Sequence, residues 1–181
     1  MNRVSFVFIV VLAALISICN ISVLVAQDKY ELKAPNGISF SEIMGYETWQ
    51  VIAPSYRTDK NEVRVILGNA KMINAYKEGF PGNGRPFPEG STIVKIAYSE
   101  RKSPVFPAAV EPDVLQRVEF ITKDLKRFPD TNGWGYARFV HDAKTGAFTP
   151  FGKDASFAQE CHQCHLLVKA RDFIFTGYPK R

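Results

Sequence analysis

The sequence predicts an α+β fold, a mainly antiparallel β-sheet with a few helices, whose C-terminal helix carries a C-x-x-C-H motif. Two observations predict the sheet. Short segments rich in β-branched and aromatic residues recur along the chain, and Pro- and Gly-rich connectors separate them. The third observation is the run Cys161-His162-Gln163-Cys164-His165 near the C-terminus of an otherwise cysteine-poor chain.

Five segments fit strands of this sheet. They are ETWQVIA (47–53), EVRVIL (62–67), STIVKIAY (91–98), QRVEFITKD (116–124) and WGYARFVH (134–141). The connections between them, including the one around Asn132-Gly133, suit hairpins better than crossovers. The pairing is therefore expected to be antiparallel.

Two segments are expected to be helical. NAKMINAYKEG has the spacing of a short amphipathic helix behind an Asn69 cap. The motif helix is predicted from about Asp154 to Val168, and DFIFTGYP (172–179) is predicted to return as a last strand.

Residues 1–26 have the features of a secretory signal peptide. Arg3 precedes an apolar run that begins at Val4, and Ala26 offers a small residue for cleavage. The segment is also long enough to cross a bilayer, which needs about 20 apolar residues, so an uncleaved N-terminal anchor is the alternative. Either way, residues 27–181 are predicted to form a single exported domain in the periplasm.

The net charge of the chain is +5 at pH 7. The basic residues are spread along the chain without blocks. This pattern favours solubility and contains no basic block that would indicate a nucleic-acid partner.

Cys161 and Cys164 have four interpretations: a disulfide, a redox C-x-x-C, a zinc site or a haem attachment signal. A redox pair usually follows a strand in a thioredoxin-like βαβ unit, and zinc would need a second ligand pair that the chain does not offer. In C-x-x-C-H, the thiols bond to the two vinyl groups of one covalent haem c, and His165 becomes the proximal iron ligand. His162 is expected to point away from that face. An exported chain with this motif is best explained by the haem.

A sixth ligand to the iron is harder to place. Met44, Met72 and His141 are the candidates, since Met and His are the usual second ligands of electron-transfer cytochromes. Met72 has helical spacing and is expected to be core. His141 ends a strand. An open or water-bound iron is therefore expected.

Lys95 interrupts an otherwise apolar strand. Val94 and Ile96 share one face, and Ile93 and Lys95 share the other. A lysine at this position guards an edge strand, extends its charged end to water, or points into a pocket, where desolvation lowers its pKa and makes the amine nucleophilic. In the strand before it, Arg64 either pairs with a haem propionate or faces solvent. Trp134 and Tyr136 are assigned to the core and the pocket wall.

Together these segments resemble the cytochrome P-460 family of exported c-haem proteins. The resemblance covers about Tyr46 to Pro179 and rests mainly on FPEGSTIVKIAY, TKDLKRFPDTNGWGYARF, ECHQCH and DFIFTGYP. It implies the antiparallel fold, a homodimer, haem held by Cys161, Cys164 and His165, and a Lys95 side chain bonded to a porphyrin meso carbon. The connector 78–91 looks longer than expected of the family, which could reshape the distal side or the dimer surface.

The resemblance also implies an activity. The family oxidises hydroxylamine at an open iron to nitric oxide or nitrous oxide and passes the electrons to a cytochrome. The pocket residue before the haem motif varies, and Asp154 and Glu160 are candidate proton acceptors, with Asp154 preferred. Phe148 and Phe151 are candidate apolar caps. The alternatives are a nitric oxide- or carbon monoxide-binding protein similar to cytochromes c′-beta, without the link, and a plain electron carrier.

Overall fold

A computed structural model describes residues 28–180, so the predicted signal peptide or anchor, 1–26, lies outside the described residues. The central element is a six-stranded antiparallel sheet in which each strand pairs with the next along the chain. Its strands are β1 (Gln50–Arg57), β2 (Glu62–Gly68), β3 (Thr92–Lys102), β4 (Val110–Lys123), β5 (Trp134–His141) and β6 (Phe148–Pro150). The predicted α+β class is confirmed.

Within residues 28–180, two α-helices accompany the sheet, α1 (Ala70–Lys77) and α2 (Phe157–His165). A 3-10 segment, Leu166–Arg171, follows α2 directly. Shorter 3-10 turns occupy Lys29–Glu31, Phe40–Ile43, Tyr46–Thr48 and Pro129–Thr131. Of the helices in residues 28–180, none is long and apolar enough to cross a membrane.

The alternation along the strands gives the sheet two apolar faces. One face, with Val94, Phe120 and Phe139, packs against Ile38 and Phe40 of the N-terminal segment. The opposite face packs against α1 and the C-terminal tail through the side chains of Ile66, Ile93, Met72, Trp134, Tyr136 and Ile174. The predicted division of β3 between Val94 and Ile93 is confirmed.

Helix α1 begins where predicted. The Asn69 side chain accepts a hydrogen bond from the backbone N–H of Met72 at 2.9 Å, which satisfies a free donor of the first turn. Met72 is fully buried in the second apolar face, as expected of a core methionine. Its burial stabilises the fold by about 2 kcal/mol.

Some predicted boundaries are wrong. β1 begins at Gln50 because Tyr46–Thr48 forms a 3-10 turn after Gly45, whose φ is 78°. The predicted last strand, 172–179, is irregular, because Asp172 and Phe173 both have left-handed φ angles that interrupt extended pairing. The short strand β6 was not anticipated.

Strands β3 and β4 are also longer than predicted. Residues 100–102 of β3 pair only with residues 110–112 of β4. The neighbouring strands do not reach this far, since β2 pairs with β3 only as far as Ser99 and β5 pairs with β4 only from Arg117 onward. We call residues 100–115 the ribbon. Its outer end exposes Val105 and Phe106 to 91% and 64%.

Candidate functional site

A cavity of about 620 Å³ opens on the second face of the sheet. Strands β1 to β5 form its wall, and α2 and the C-terminal tail close it. Five of the predicted site residues line it, and they are Arg64, Lys95, Cys161, Cys164 and His165. The fold therefore gathers at one place residues that lie as much as 101 positions apart in the sequence.

The two cysteines lie one turn apart on α2, so both side chains face the cavity. Cys161 is half-buried and packs against residues of both apolar faces' cores, whereas Cys164 is exposed. Both are free thiols. Burial raises the pKa of the Cys161 thiol. The antiparallel sheet contains no βαβ unit in its described part, which removes the context of a thioredoxin-like redox pair.

His165 ends α2 and has a defined orientation. Its Nδ1–H donates to the Phe173 carbonyl at 2.6 Å, which leaves Nε2 with a free lone pair. Burial lowers the pKa of His165 and favours the neutral imidazole. The rings of Tyr136 and Phe175 pack against it edge-on, with centroids 5.1 and 5.0 Å away. A neutral histidine held in this way is prepared to bind a metal.

His162 does not line the cavity. It is only 4% exposed, and its Nε2 donates to the Asn132 side-chain oxygen at 3.1 Å. Its Nδ1 lies 3.1 Å from the Tyr136 hydroxyl. The sequence indicated that His162 points away from the ligand face, but not that it attaches α2 to β5 and to the turn before it.

Lys95 lies beside a carboxylate that the sequence interpretation did not single out. Lys95 and Glu119 are register partners on β3 and β4, and they form a salt bridge. Because β3 lies inside the sheet, the edge-strand interpretation of Lys95 is wrong. Burial lowers the pKa of Lys95, and Glu119 opposes this effect only in part.

Glu119 is 8% exposed and is surrounded by cations. Arg117 and Arg138 each place Nε 2.7 Å from its Oε1. Burial alone would raise the pKa of Glu119, but the charges of Lys95, Arg138 and Arg117 lower it to about 2. The sequence contained one indication that Glu119 faces the cavity side of the sheet. The alternation in QRVEFITKD places Glu119 on the same face as Ile121.

Arg64 approaches the cavity from β2. Its Nη2 donates to the Ser55 hydroxyl at 2.7 Å, while its buried Nε has no hydrogen-bond partner among the described residues. Glu62 is 3.8 Å from that nitrogen, too far for a hydrogen bond. Burial lowers the pKa of Arg64. A half-buried guanidinium with a free donor suits an anionic group such as a carboxylate.

The remaining predicted residues are not brought to the cavity. Asp154 is exposed, and its side chain accepts a hydrogen bond from the backbone N–H of Ser156 at 2.9 Å. Glu160 is exposed on α2. Phe148 packs on the face of the sheet opposite the cavity. The ring centroid of Phe151 lies 4.5 Å from Cζ of Arg138.

No candidate sixth ligand reaches the cavity. Among the described residues, its lining contains no methionine and no histidine except His165. Met72 is in the core and Met44 is 61% exposed. His141 is hydrogen-bonded to the Leu115 carbonyl. In the part of the chain that the structure describes, no group of three or more His, Cys, Asp or Glu side chains is arranged to hold a metal ion.

Comparison with known proteins agrees with this geometry. A family model described as Cytochrome P460 matches residues 43–176, most of the chain. A search of curated proteins found no match. The matched region contains the five site residues that line the cavity, the C-x-x-C-H motif among them. The chain therefore belongs to the cytochrome P460 family and is a c-type haem protein.

Proposed function

We propose that the chain binds one haem c covalently and oxidises hydroxylamine to nitric oxide or nitrous oxide in the periplasm. The observation that carries this proposal is the convergence of Lys95 with Cys161, Cys164 and His165 in one cavity. Two thiols one turn apart, a neutral histidine beside them and a half-buried guanidinium with a free donor fit the attachment, the ligation and the propionates of a haem. When bound, haem c supplies the iron at which the substrate is oxidised and from which the electrons leave.

The protein's residues have distinct proposed roles. Cys161 and Cys164 would form the thioethers, His165 Nε2 would ligate the iron, and Arg64 would hold a propionate. Lys95 is the amine that would bond to a porphyrin meso carbon; this bond replaces one N–H and the meso C–H bond, so its formation also requires a two-electron oxidant such as a peroxide. Its lowered pKa supports this role, because only the neutral amine is a nucleophile.

We assign the proton acceptor of the site to Glu119 and not to Asp154. Glu119 lines the cavity and touches Lys95, whereas Asp154 is exposed and outside the lining. Its low pKa keeps Glu119 anionic at neutral pH while Lys95 is charged. Loss of the Lys95 charge removes the largest of the effects that lower this pKa, and so makes Glu119 a stronger base. Arg117 and Arg138 still neutralise the carboxylate when Lys95 has lost its charge.

Two alternatives differ from this proposal in measurable ways. A gas-binding protein would take up nitric oxide or carbon monoxide without turnover, and it is the second candidate because the described cavity lining offers no sixth ligand that would compete with the gas. An electron carrier would need a sixth ligand. The described lining offers none, which supports an open iron site.

The test is steady-state oxidation of hydroxylamine by the haem-loaded protein with an artificial electron acceptor. The wild type should turn over, and Lys95→Ala should lose most of the activity. Lys71→Ala is the matched control, since Lys71 is an exposed lysine bonded to the Glu89 carbonyl outside the cavity. Nitric oxide uptake without turnover by the wild type would replace this proposal with the gas-binding one.

We further propose two protein partners. The electrons pass to another periplasmic cytochrome, and the chain forms a homodimer through the ribbon. A two-stranded ribbon alone is marginally stable in water, and this one exposes Val105, Phe106 and Val110. Its Arg101 pairs with Glu111 and Asp113 of the same chain, so the proposed interface rests on the apolar side chains at the end of the ribbon.

A further inference from the structure

Behind His165 lies a buried ion pair that the proposed reaction does not use. Lys123 Nζ is 3.0 and 3.3 Å from the two carboxylate oxygens of Asp172, and the two side chains are only 8% and 10% exposed. Neither residue lines the cavity. An ion pair this deep costs several kcal/mol of desolvation per ion, and an apolar pair is often as stable. Its presence therefore points to a requirement for position and not for stability.

Asp172 connects three separate elements to the turn after α2. Besides Lys123 at the end of β4, its carboxylate accepts a hydrogen bond from the Phe87 backbone N–H at 2.8 Å. Trp134 Nε1, at the start of β5, lies 3.4 Å from it. Lys123 also donates to the Asn132 carbonyl at 3.0 Å and lies 4.8 Å from the Trp134 ring centroid. The carboxylate is therefore fixed from several directions.

This turn determines where the Phe173 carbonyl points. Asp172 and Phe173 have φ angles of 47° and 62°, a left-handed pair that reverses the chain immediately after the Leu166–Arg171 segment. The reversal brings the Phe173 carbonyl to His165 Nδ1. A left-handed residue other than glycine costs roughly 1–2 kcal/mol, so the pair needs outside support. The contacts to the Asp172 side chain provide it.

The long connector also contributes to this support. Phe87 belongs to the segment 78–91, which the sequence interpretation linked to the distal side or the dimer surface. The structure instead buries Phe80 and Phe87 in the core cluster that contains Trp134 and Phe173, and the Phe87 N–H bonds to Asp172. In this chain the connector therefore supports the His165 side of the cavity.

We propose that Lys123 and Asp172 are positioning residues that set the hydrogen bond from His165 to Phe173, and with it the electron donation of His165 to the haem iron. A strong bond at Nδ1–H increases the basicity of the ligating nitrogen and stabilises the ferric state. The inference rests on the proposed ligation by His165. Lys123 and Asp172 touch neither haem nor substrate and act only through the turn.

The test is the iron–histidine stretching band of the ferrous haem-loaded protein, read by resonance Raman spectroscopy, together with the reduction potential. Asp172→Asn is nearly isosteric and tolerates the left-handed conformation, but it brings amide hydrogens against Lys123. The band should move to lower frequency and the potential should rise. Glu42→Gln is the control, because it makes the same change of charge in the surface pair with Arg127. It should change neither the band frequency nor the reduction potential.

A double variant provides the test if Asp172→Asn alone does not fold. Lys123→Met alone leaves the Asp172 carboxylate buried without its cation, whereas Lys123→Met/Asp172→Asn removes both charges. The double variant should fold and show the same lower band. A lower melting temperature with an unchanged band and potential in both variants would show a purely structural pair and overturn this inference. Absence of the band in the wild type would instead show that the ferrous iron is not a five-coordinate centre ligated by His165, and would overturn the proposed function.

Discussion

Lys95 and Glu119 face each other across two neighbouring antiparallel strands, inside the cavity that also holds the haem-attachment motif. The amine is desolvated enough for its pKa to fall, while the carboxylate stays ionised because two arginines also contact it. The two side chains to which we assign the nucleophile and the proton acceptor are therefore already paired in the described part of the protein.

Covalent attachment should depend on the two thiols of α2. The double variant Cys161→Ser/Cys164→Ser, made in a Lys95→Ala background so that the proposed bond from Lys95 is also absent, should lose all covalently bound haem, because serine forms no thioether with a vinyl group. The mass of the denatured protein measures this directly. The wild type should carry the added mass of one haem, and a double variant that keeps this mass would refute the assignment.

Glu119 should make stability depend on acid pH. Its folded-state pKa of about 2 is below the ordinary value of 4.5, so its contribution is fully present above pH 4.5 and is lost as the pH falls through about 2. Glu119→Gln should therefore lower the free energy of unfolding at pH 7 by on the order of 3 kcal/mol. Its stability should also change less than that of the wild type between pH 4.5 and 2.

Urea unfolding across this pH range measures the effect. Glu42→Gln is the control, since Glu42 pairs with Arg127 near the surface, away from the cavity. Parallel pH profiles for the wild type and Glu119→Gln would contradict the strong coupling of Glu119 to its cations.

His162 should matter for stability and not for the electronic state of the iron. His162→Ala removes a buried ring with hydrogen bonds to Tyr136 and Asn132, so unfolding should become easier by about 2 kcal/mol or more. The ferrous visible spectrum should not change, because His162 does not line the cavity. Gln163→Ala, an exposed neighbour on the same helix, should change neither property. A changed spectrum in the His162 variant would indicate contact with the haem.

Much of this site could be predicted from local sequence. The C-x-x-C-H spacing identifies its own ligands, and the alternation in STIVKIAY separates Lys95 from Val94. Glu119 could not be assigned in this way, because its contact with Lys95 depends on the register between two strands whose residues lie 24 positions apart.

The C-terminal tail was mispredicted for a related reason. DFIFTGYP has the composition of a strand, but contacts from Phe87, Lys123 and Trp134 hold Asp172 in a left-handed turn. Tertiary contacts therefore overrode local β-propensity there. That Asp154 lies outside the cavity lining could not be predicted, because no periodic pattern fixes the loop before α2.

The proposed dimer should depend on the exposed end of the ribbon. Phe106→Asp places a charge on a strongly exposed apolar side chain and should convert a dimer to a monomer in size-exclusion chromatography with light scattering. Met44→Asp, which charges an exposed apolar residue outside the ribbon, should leave the dimer intact. A monomeric wild type, or a Phe106→Asp variant that remains dimeric, would remove the ribbon from the interface.

The most direct test of the central claim is the visible spectrum of the reduced, haem-loaded protein for the wild type, Lys95→Ala and Lys71→Ala. A bond from Lys95 to the porphyrin should shift the Soret band of the wild type strongly to the red. This shift should disappear in Lys95→Ala and persist in Lys71→Ala. An ordinary five-coordinate c-haem spectrum that is the same in all three proteins would contradict the role of Lys95 and favour gas binding.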